Sequence, residues 1–194
     1  DTVTLYLDTS GEPLYKRGFK PAAVEAPLKE NLAAGILRLT GWQPGSEALV
    51  DPMCGSGTFL IEAAQMALDV APGLGRRFGF EKFKNFERDQ WLPIRQAAEA
   101  RRQAPRPLPI HGSDILEAQE RKSIVNLRSA GLDGCVTVSR TDMLELAAPA
   151  ASGVLVANPP YGVRLSDMSE LRDFYPRLGS ALKAHWAEIG RAHV

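Results

Sequence analysis

Apolar residues along the chain switch between short runs and helical spacings. Residues 3–7, Val-Thr-Leu-Tyr-Leu, read as a strand. Asp8 to Pro13 is a turn cluster and Leu14 to Phe19 a returning strand, which together predict an N-terminal β-hairpin. Such a hairpin is marginal alone and must pack on something. Val24 to Leu39 carries a helical pattern: Leu28, Leu32, Ile36 and Leu39 recur at the spacing of one helix face, with Pro27 in the first turn and Gly41 past the end. Ala48 to Asp51 is a short strand, and Phe59 to Leu68 is a strongly helical run. A second core strand is expected over Pro109 to Ile115, then a helix from Glu117 to Ala130 stopped by Gly131, then a strand over Cys135 to Ser139. Val154 to Ala157 reads as a buried strand that Asn158-Pro159-Pro160 ends. Leu171, Phe174, Leu178 and Leu182 then mark a helix within Leu165 to Trp186, and Arg191 to Val194 opens another strand.

Strands alternating with helices predict an α/β domain with a doubly wound, mostly parallel sheet. The expected division is residues 1–23 as hairpin and linker packed on the core, and 24–194 as the main domain. Residues 71–107 are an insertion relative to a minimal strand-helix-strand unit. Phe78, Phe80, Phe83, Phe86 and Trp91 interleave there with Arg76, Arg77, Lys82, Lys84 and Arg88. That texture suits nucleic acid, and equally an excursion that packs through its rings and solvates its charges. The chain stops where such a sheet should continue, so the expectation is a domain incomplete at its C-terminus.

Composition narrows the class. Hydrophobic residues are 44% and charged residues 24%, as in ordinary globular proteins. No apolar run approaches a membrane span, and no signal peptide is visible. Two cysteines, Cys54 and Cys135, with three histidines give neither a disulfide framework nor zinc spacing, and fit a reduced cytoplasmic setting. No metal is expected. Lysine plus arginine number 23 against 23 acidic residues, which argues against strong nucleic-acid binding by this segment alone. Lys16, Arg17 and Lys20 form one small basic patch.

Two stretches carry chemistry. In Asn158-Pro-Pro-Tyr161 the asparagine side-chain oxygen and the rigid Pro159 carbonyl are neutral acceptors. Tyr161 offers a flat face, and Gly162 lets a ligand come close. This corner suits a planar group bearing an amine, with both hydrogens accepted and the ring stacked. The second stretch is Asp51-Pro52-Met53-Cys54-Gly55-Ser56-Gly57-Thr58, a strand end, a Gly-X-Gly turn and a helix start. That is the order a nucleotide-type cofactor site requires. Asp114 ends the next strand, where an acidic residue can take both ribose hydroxyls of a nucleoside. It lies beyond the usual spacing of roughly 20 residues, and the insertion accounts for the delay.

Asn158-Pro-Pro-Tyr161 resembles the catalytic motif of S-adenosylmethionine (SAM)-dependent methyltransferases acting on amino nitrogens, and Asp51–Thr58 resembles their SAM-binding motif. The closer resemblance is to bacterial ribosomal RNA guanine-N2 methyltransferases that carry an N-terminal THUMP RNA-binding domain, long labelled N6-adenine-specific DNA methylases. It is carried by Tyr15-Lys-Arg-Gly-Phe-Lys-Pro21, Glu25-Ala-Pro-Leu-Lys-Glu-Asn-Leu-Ala-Ala34, Asp51–Thr58, Gly112-Ser-Asp114 and Asn158-Pro-Pro-Tyr-Gly-Val-Arg-Leu165.

The resemblance implies a Rossmann-like class I fold and SAM as cofactor. The methionine end would lie on Pro52, Cys54, Gly55, Ser56, Gly57 and Thr58, with Asp51 taking its ammonium. Asp114 and Ile115 would meet the ribose, and Asp142 and Met143 the adenine. Asn158, Pro159, Pro160 and Tyr161 would hold the target amine, with Asn158 also bordering the cofactor. The partner implied is ribosomal RNA, most of its affinity coming from a segment such as THUMP that is absent here. No membrane partner is implied, and no oligomeric state is specified. An adenine-N6 DNA methylase, a glutamine-directed protein methylase and a non-catalytic RNA-binding module stay open as alternatives.

Overall fold

A computed structural model describes residues 2–19, 28–160, 168–186 and 191–193 of the chain. The elements are α1 (Glu30–Leu39), β1 (Leu49–Asp51), α2 (Thr58–Ala67), α3 (Arg88–Ala100), β2 (Ile110–Asp114), α4 (Glu117–Ser129), β3 (Thr137–Arg140), β4 (Val154–Val156), α5 (Met168–His185) and β5 (Arg191–His193). The strands form one sheet in the order β3-β2-β1-β4-β5. Every pairing is parallel: Leu49 opposes Ile110 and Val154, Asp114 opposes Arg140, and Val154 opposes Arg191. The chain winds outward from β1 to β3, then returns to the other side of β1 as β4. This is the doubly wound arrangement that the alternation of elements predicts.

Both sheet faces are covered, which is why Leu49–Val50 of β1 and Val154–Val156 of β4 are apolar without alternation. Leu49, Ile110, Val154 and Val156 point into a core shared with Ala33 and Leu37 of α1, with α2 and with Leu127 of α4. Val50 and Leu155 face the other way, onto Met143, Leu178 and Trp186. Helix α2 is buried nearly all round, from Thr58 through Ala64. It packs so close to the sheet that a Cβ on Gly112 would lie 2.3 Å from Leu60 Cδ1.

Helix α1 turns only part of its predicted face inward: Ile36, with Leu28 just before the helix, packs against the core. Glu30, Ala33 and Leu37 are buried, whereas Leu32 and Leu39 are 54% and 85% exposed. The small Ala33 lets α1 lie close on alanine-rich α2, and that contact sets the rotation of the helix. The start expected near Val24, the domain boundary at 23/24 and Lys20 lie outside the described residues.

The N-terminal hairpin is not formed. Residues 2–19 carry no strand, and Val3, Leu5, Tyr6 and Leu7 are 74–93% exposed. Alternation alone builds no ladder when no partner strand lies alongside. The segment is instead an irregular strap tied down by side chains. Arg76 donates to the carbonyls of Ser10 (3.2 Å), Pro13 (3.3 Å) and Glu12, and the Phe80 N–H donates to Thr9 (2.9 Å). Arg17 is no part of a basic surface patch: it forms a bidentate, largely buried pair with Glu62 of α2, at 2.9 and 3.1 Å.

The insertion packs through its rings. Phe78 and Phe80 stack at 5.2 Å, and Trp91 meets both edge-on at 5.6 and 5.0 Å. Helix α2 runs antiparallel to the strands, so this excursion leaves from the sheet edge where the strands begin. Gly112→Ala should cost about 1–3 kcal/mol, because fully buried Leu60 has nowhere to move. Urea unfolding measures it, and an unchanged midpoint would contradict the close packing.

Candidate functional site

The loop between β1 and α2 is built by satisfying its backbone from two neighbouring elements. Cys54 N–H donates to the Ser113 carbonyl of β2 at 2.9 Å, and Gly57 N–H turns back onto the Cys54 carbonyl at 2.8 Å. Gly55 N–H donates to Asp114 Oδ2 at 3.0 Å. From α4, Ser123 Oγ donates to the Gly55 carbonyl at 2.7 Å and Asn126 Nδ2 to the Ser56 carbonyl at 2.9 Å. Gly57 caps α2 at φ +80°, a left-handed conformation. A Cβ there would also press on Ser123 Oγ at 3.1 Å, so the position needs glycine twice over. A Cβ on Gly55 would meet nothing within 4 Å, so the loop is open on that side. Beyond it, the first turn of α2 brings N–H groups that the helix itself leaves unbonded.

The strand ends bring the remaining residues to the same rim. Asp51 closes β1 and Asp114 closes β2. Asp114 Oδ1 also accepts from Leu116 N–H at 2.9 Å, which fixes the carboxylate plane. Ile115, beside it, is 56% exposed. Asp142 follows β3 and accepts from Leu144 N–H at 2.9 Å, making a local turn, while the Met143 side chain is buried in the second core cluster. Asn158 and Pro159 follow β4, Asn158 half-buried and Pro159 buried. Strand order reverses between β1 and β4, so the glycine loop and Asn158 flank the crevice where open α/β sheets bind ligands. Tyr161 lies outside the described residues.

Burial sets the charge state of the rim. Asp51 is 2% exposed, and burial raises its carboxyl from an ordinary 3.8 to about 8. The Met53 N–H at 3.3 Å opposes that rise, and the nearby Asp114 carboxylate adds to it. Cys54 is likewise pushed well up by burial, so its thiol stays protonated. It has no reactive role in this geometry; it donates toward Ser123 Oγ at 3.5 Å, because that hydroxyl's own hydrogen is committed to Gly55. Among the described residues no group of three histidine, cysteine or carboxylate side chains can hold a metal, and no helix is long and apolar enough to cross a membrane.

Sequence reading missed four residues that shape this rim: Ser113, whose Oγ donates to the Pro52 carbonyl at 3.3 Å, Ser123, Asn126, and Tyr175, whose hydroxyl donates to the Pro160 carbonyl at 3.3 Å. Ser123 and Asn126 share a helix stripe with buried Leu127, a spacing that was available as a signal.

A doubly wound parallel sheet with a glycine loop after β1 and an acidic residue ending β2 defines a Rossmann-like, class I methyltransferase fold. The chain belongs to the RMKL-like methyltransferase domain family, whose model matches residues 17–194. It is 44% identical over 194 residues to the ribosomal RNA large subunit methyltransferase K/L of Desulfotalea psychrophila, covering 95% of this chain and 26% of that protein. It is 46% identical over 193 residues to the protein of the same name from Cellvibrio japonicus, covering 93% and 26%. The chain therefore spans about a quarter of the length of these curated relatives. Among solved structures, a protein assigned as a methyltransferase and complexed with SAH matches with a TM-score of 0.82 at 35% identity, covering 92% of this chain and 46% of that one. A predicted N6-adenine-specific DNA methylase from Listeria monocytogenes matches with a TM-score of 0.80 at 39% identity, covering 91% and 46%.

The raised Asp51 carboxyl makes stability depend on pH. Between 3.8 and about 8 the folded state holds a proton that the unfolded state has lost. This contribution is complete below 3.8 and is lost progressively as pH rises toward 8. The Asp51→Asn variant should lack that decline. Urea unfolding at several pH values in the window measures it, and parallel pH profiles for the two proteins would refute it.

Proposed function

We propose that this domain transfers a methyl group from SAM to the exocyclic N2 of a guanine in large-subunit ribosomal RNA. The observation that carries the reading is the placement of the glycine loop and Asn158-Pro159-Pro160 on either side of the β1/β4 reversal. A cofactor and a target amine held there would face each other across one crevice. The names of the relatives support the substrate class, and the fit of the rim supports the cofactor. Asp51 is a buried carboxyl to which no basic side chain bonds among the described residues, and it ends β1 where the glycine loop begins. That is a place for an ammonium group, whose charge would favour the ionised acid. Asp114 keeps acceptor capacity beyond its two backbone bonds, enough for ribose hydroxyls. Exposed Ile115, next to Asp114, would line the ribose, and Asp142 would accept from the adenine amine.

When bound, SAM supplies an electrophilic methyl on a sulfonium. The chain's own part is placement. The Asn158 side-chain oxygen and the Pro159 carbonyl accept the two amine hydrogens, so the nitrogen lone pair points into the crevice. Tyr175 donates to the Pro160 carbonyl at 3.3 Å, and the two prolines restrict the backbone of the corner. Tyr161 stacks on the base, which is presented out of its helix. Orientation and preorganised acceptors account for the acceleration, and the proton that the methylated nitrogen must release passes from the acceptor corner to water without a strong general base. Most RNA affinity comes from other parts of the whole protein, because this domain has no net charge. A cytoplasmic setting belongs to the same proposal.

Labelled SAM with unmodified large-subunit ribosomal RNA, followed by nucleoside analysis, tests the function. Label in N2-methylguanosine supports it. Label in N6-methyladenosine would overturn the base assignment. Label only in DNA or protein would overturn the substrate class.

Two substitutions separate the roles. Asn158→Ala should lower methyl transfer by about 100-fold or more while leaving SAM affinity within about twofold. Asp114→Ala should instead weaken SAM binding by about tenfold or more, since it removes charge-assisted bonds. Calorimetry beside single-turnover kinetics distinguishes them, and equal losses in both quantities for Asn158→Ala would remove it from the acceptor corner.

A further inference from the structure

Helix α4 buries an unusual face. Its buried residues are Ser123, Asn126 and Leu127, two of the three polar. Ser123 is fully buried and Asn126 is 6% exposed. Neither is spent on another side chain's charge or on the helix's own backbone. Both reach across to adjacent carbonyls of the glycine loop, Gly55 at 2.7 Å and Ser56 at 2.9 Å. A peptide plane is rigid, so fixing a carbonyl also fixes the direction of the N–H on the next residue. Holding the Gly55 and Ser56 carbonyls against α4 therefore directs the Ser56 and Gly57 N–H groups away from α4. The Gly57 N–H is seen in the consequent tight turn onto Cys54.

The same helix begins three residues after Asp114, which binds the Gly55 N–H from its other side. Gly55 is thus gripped at both of its backbone groups, its N–H by Asp114 of β2 and its carbonyl by Ser123 of α4.

We propose that Ser123 and Asn126 are positioning residues for the methionine half of SAM, holding the glycine loop in its receiving orientation through the Gly55 and Ser56 carbonyls. The inference rests on the assignment of this loop to SAM. It goes further by assigning a binding function to two helix residues that need not touch the cofactor. Asn126 acts through hydrogen-bond donation, so its shape alone does not suffice. An aspartate in its place has the same outline but puts an oxygen against the Ser56 carbonyl.

The test compares two ligands that differ by the amino-acid tail. S-adenosylhomocysteine carries the whole tail, and 5′-deoxy-5′-methylthioadenosine lacks the amino and carboxyl groups. Calorimetry on the wild-type chain and on Asn126→Asp should show S-adenosylhomocysteine affinity falling about tenfold or more, with methylthioadenosine affinity changed less than about twofold. Ser123→Ala, which leaves the Gly55 carbonyl unpaired, should shift the same ratio in the same direction and stands in if Asn126→Asp does not fold. A purely structural role would lower the folded, competent fraction and weaken both ligands alike. Equal losses, or no loss for the longer ligand, would overturn the positioning role. Failure of the wild-type chain to bind either ligand would overturn the SAM assignment itself, and is visible before any substitution is made.

Discussion

A loop squeezed between a fully buried strand and a nearly fully buried helix cannot leave its backbone groups to water. Every amide and carbonyl from Pro52 to Gly57 that turns inward needs a protein partner. The chain meets this requirement from two directions, with Ser113 and Asp114 on β2 and with Ser123 and Asn126 on α4. Much else follows. Gly57 must be glycine because Ser123 stands against it, and Gly112 must be glycine so that α2 can lie near β2. One side of Gly55 is then left open as the face available to a ligand.

The sheet converts that local solution into a site. Parallel strands all end on one edge, and the reversal of order between β1 and β4 opens a crevice there. Asp51, Asp114, Asp142 and Asn158 lie far apart in sequence, yet each follows or ends a strand of the same sheet. The aromatic insertion leaves from the opposite edge, where its rings pack on one another and Arg76 pins the strap of residues 10–13. Arg77, Lys82, Lys84 and Arg88 are exposed around those rings.

The parts of this arrangement that were legible in the sequence are those written in apolar runs and glycines. β1, β4 and α2 were readable because burial on both faces makes their runs largely apolar. The strand-end residues followed from where those runs stop. Three features were not legible, each for a physical reason. Val3–Leu7 alternates like a strand, but alternation does not supply a partner. The leucines of α1 are its bulkiest apolar residues, yet close approach to α2 is decided by Ala33, so the helix turns Leu39 outward. The face of α4 was hidden because it packs against backbone carbonyls. A polar stripe that is buried for that purpose looks like a solvated one until the loop it serves is in view.

The account turns on the rim of β1, β2 and β4 being a cofactor site organised by the glycine loop. A crystal structure of the chain with S-adenosylhomocysteine tests this most directly. It should show both ribose hydroxyls within hydrogen-bond distance of Asp114, the amino-acid tail on the open side of Gly55, and the sulfur facing Asn158. Density for the ligand elsewhere, or a ribose out of reach of Asp114, would contradict it.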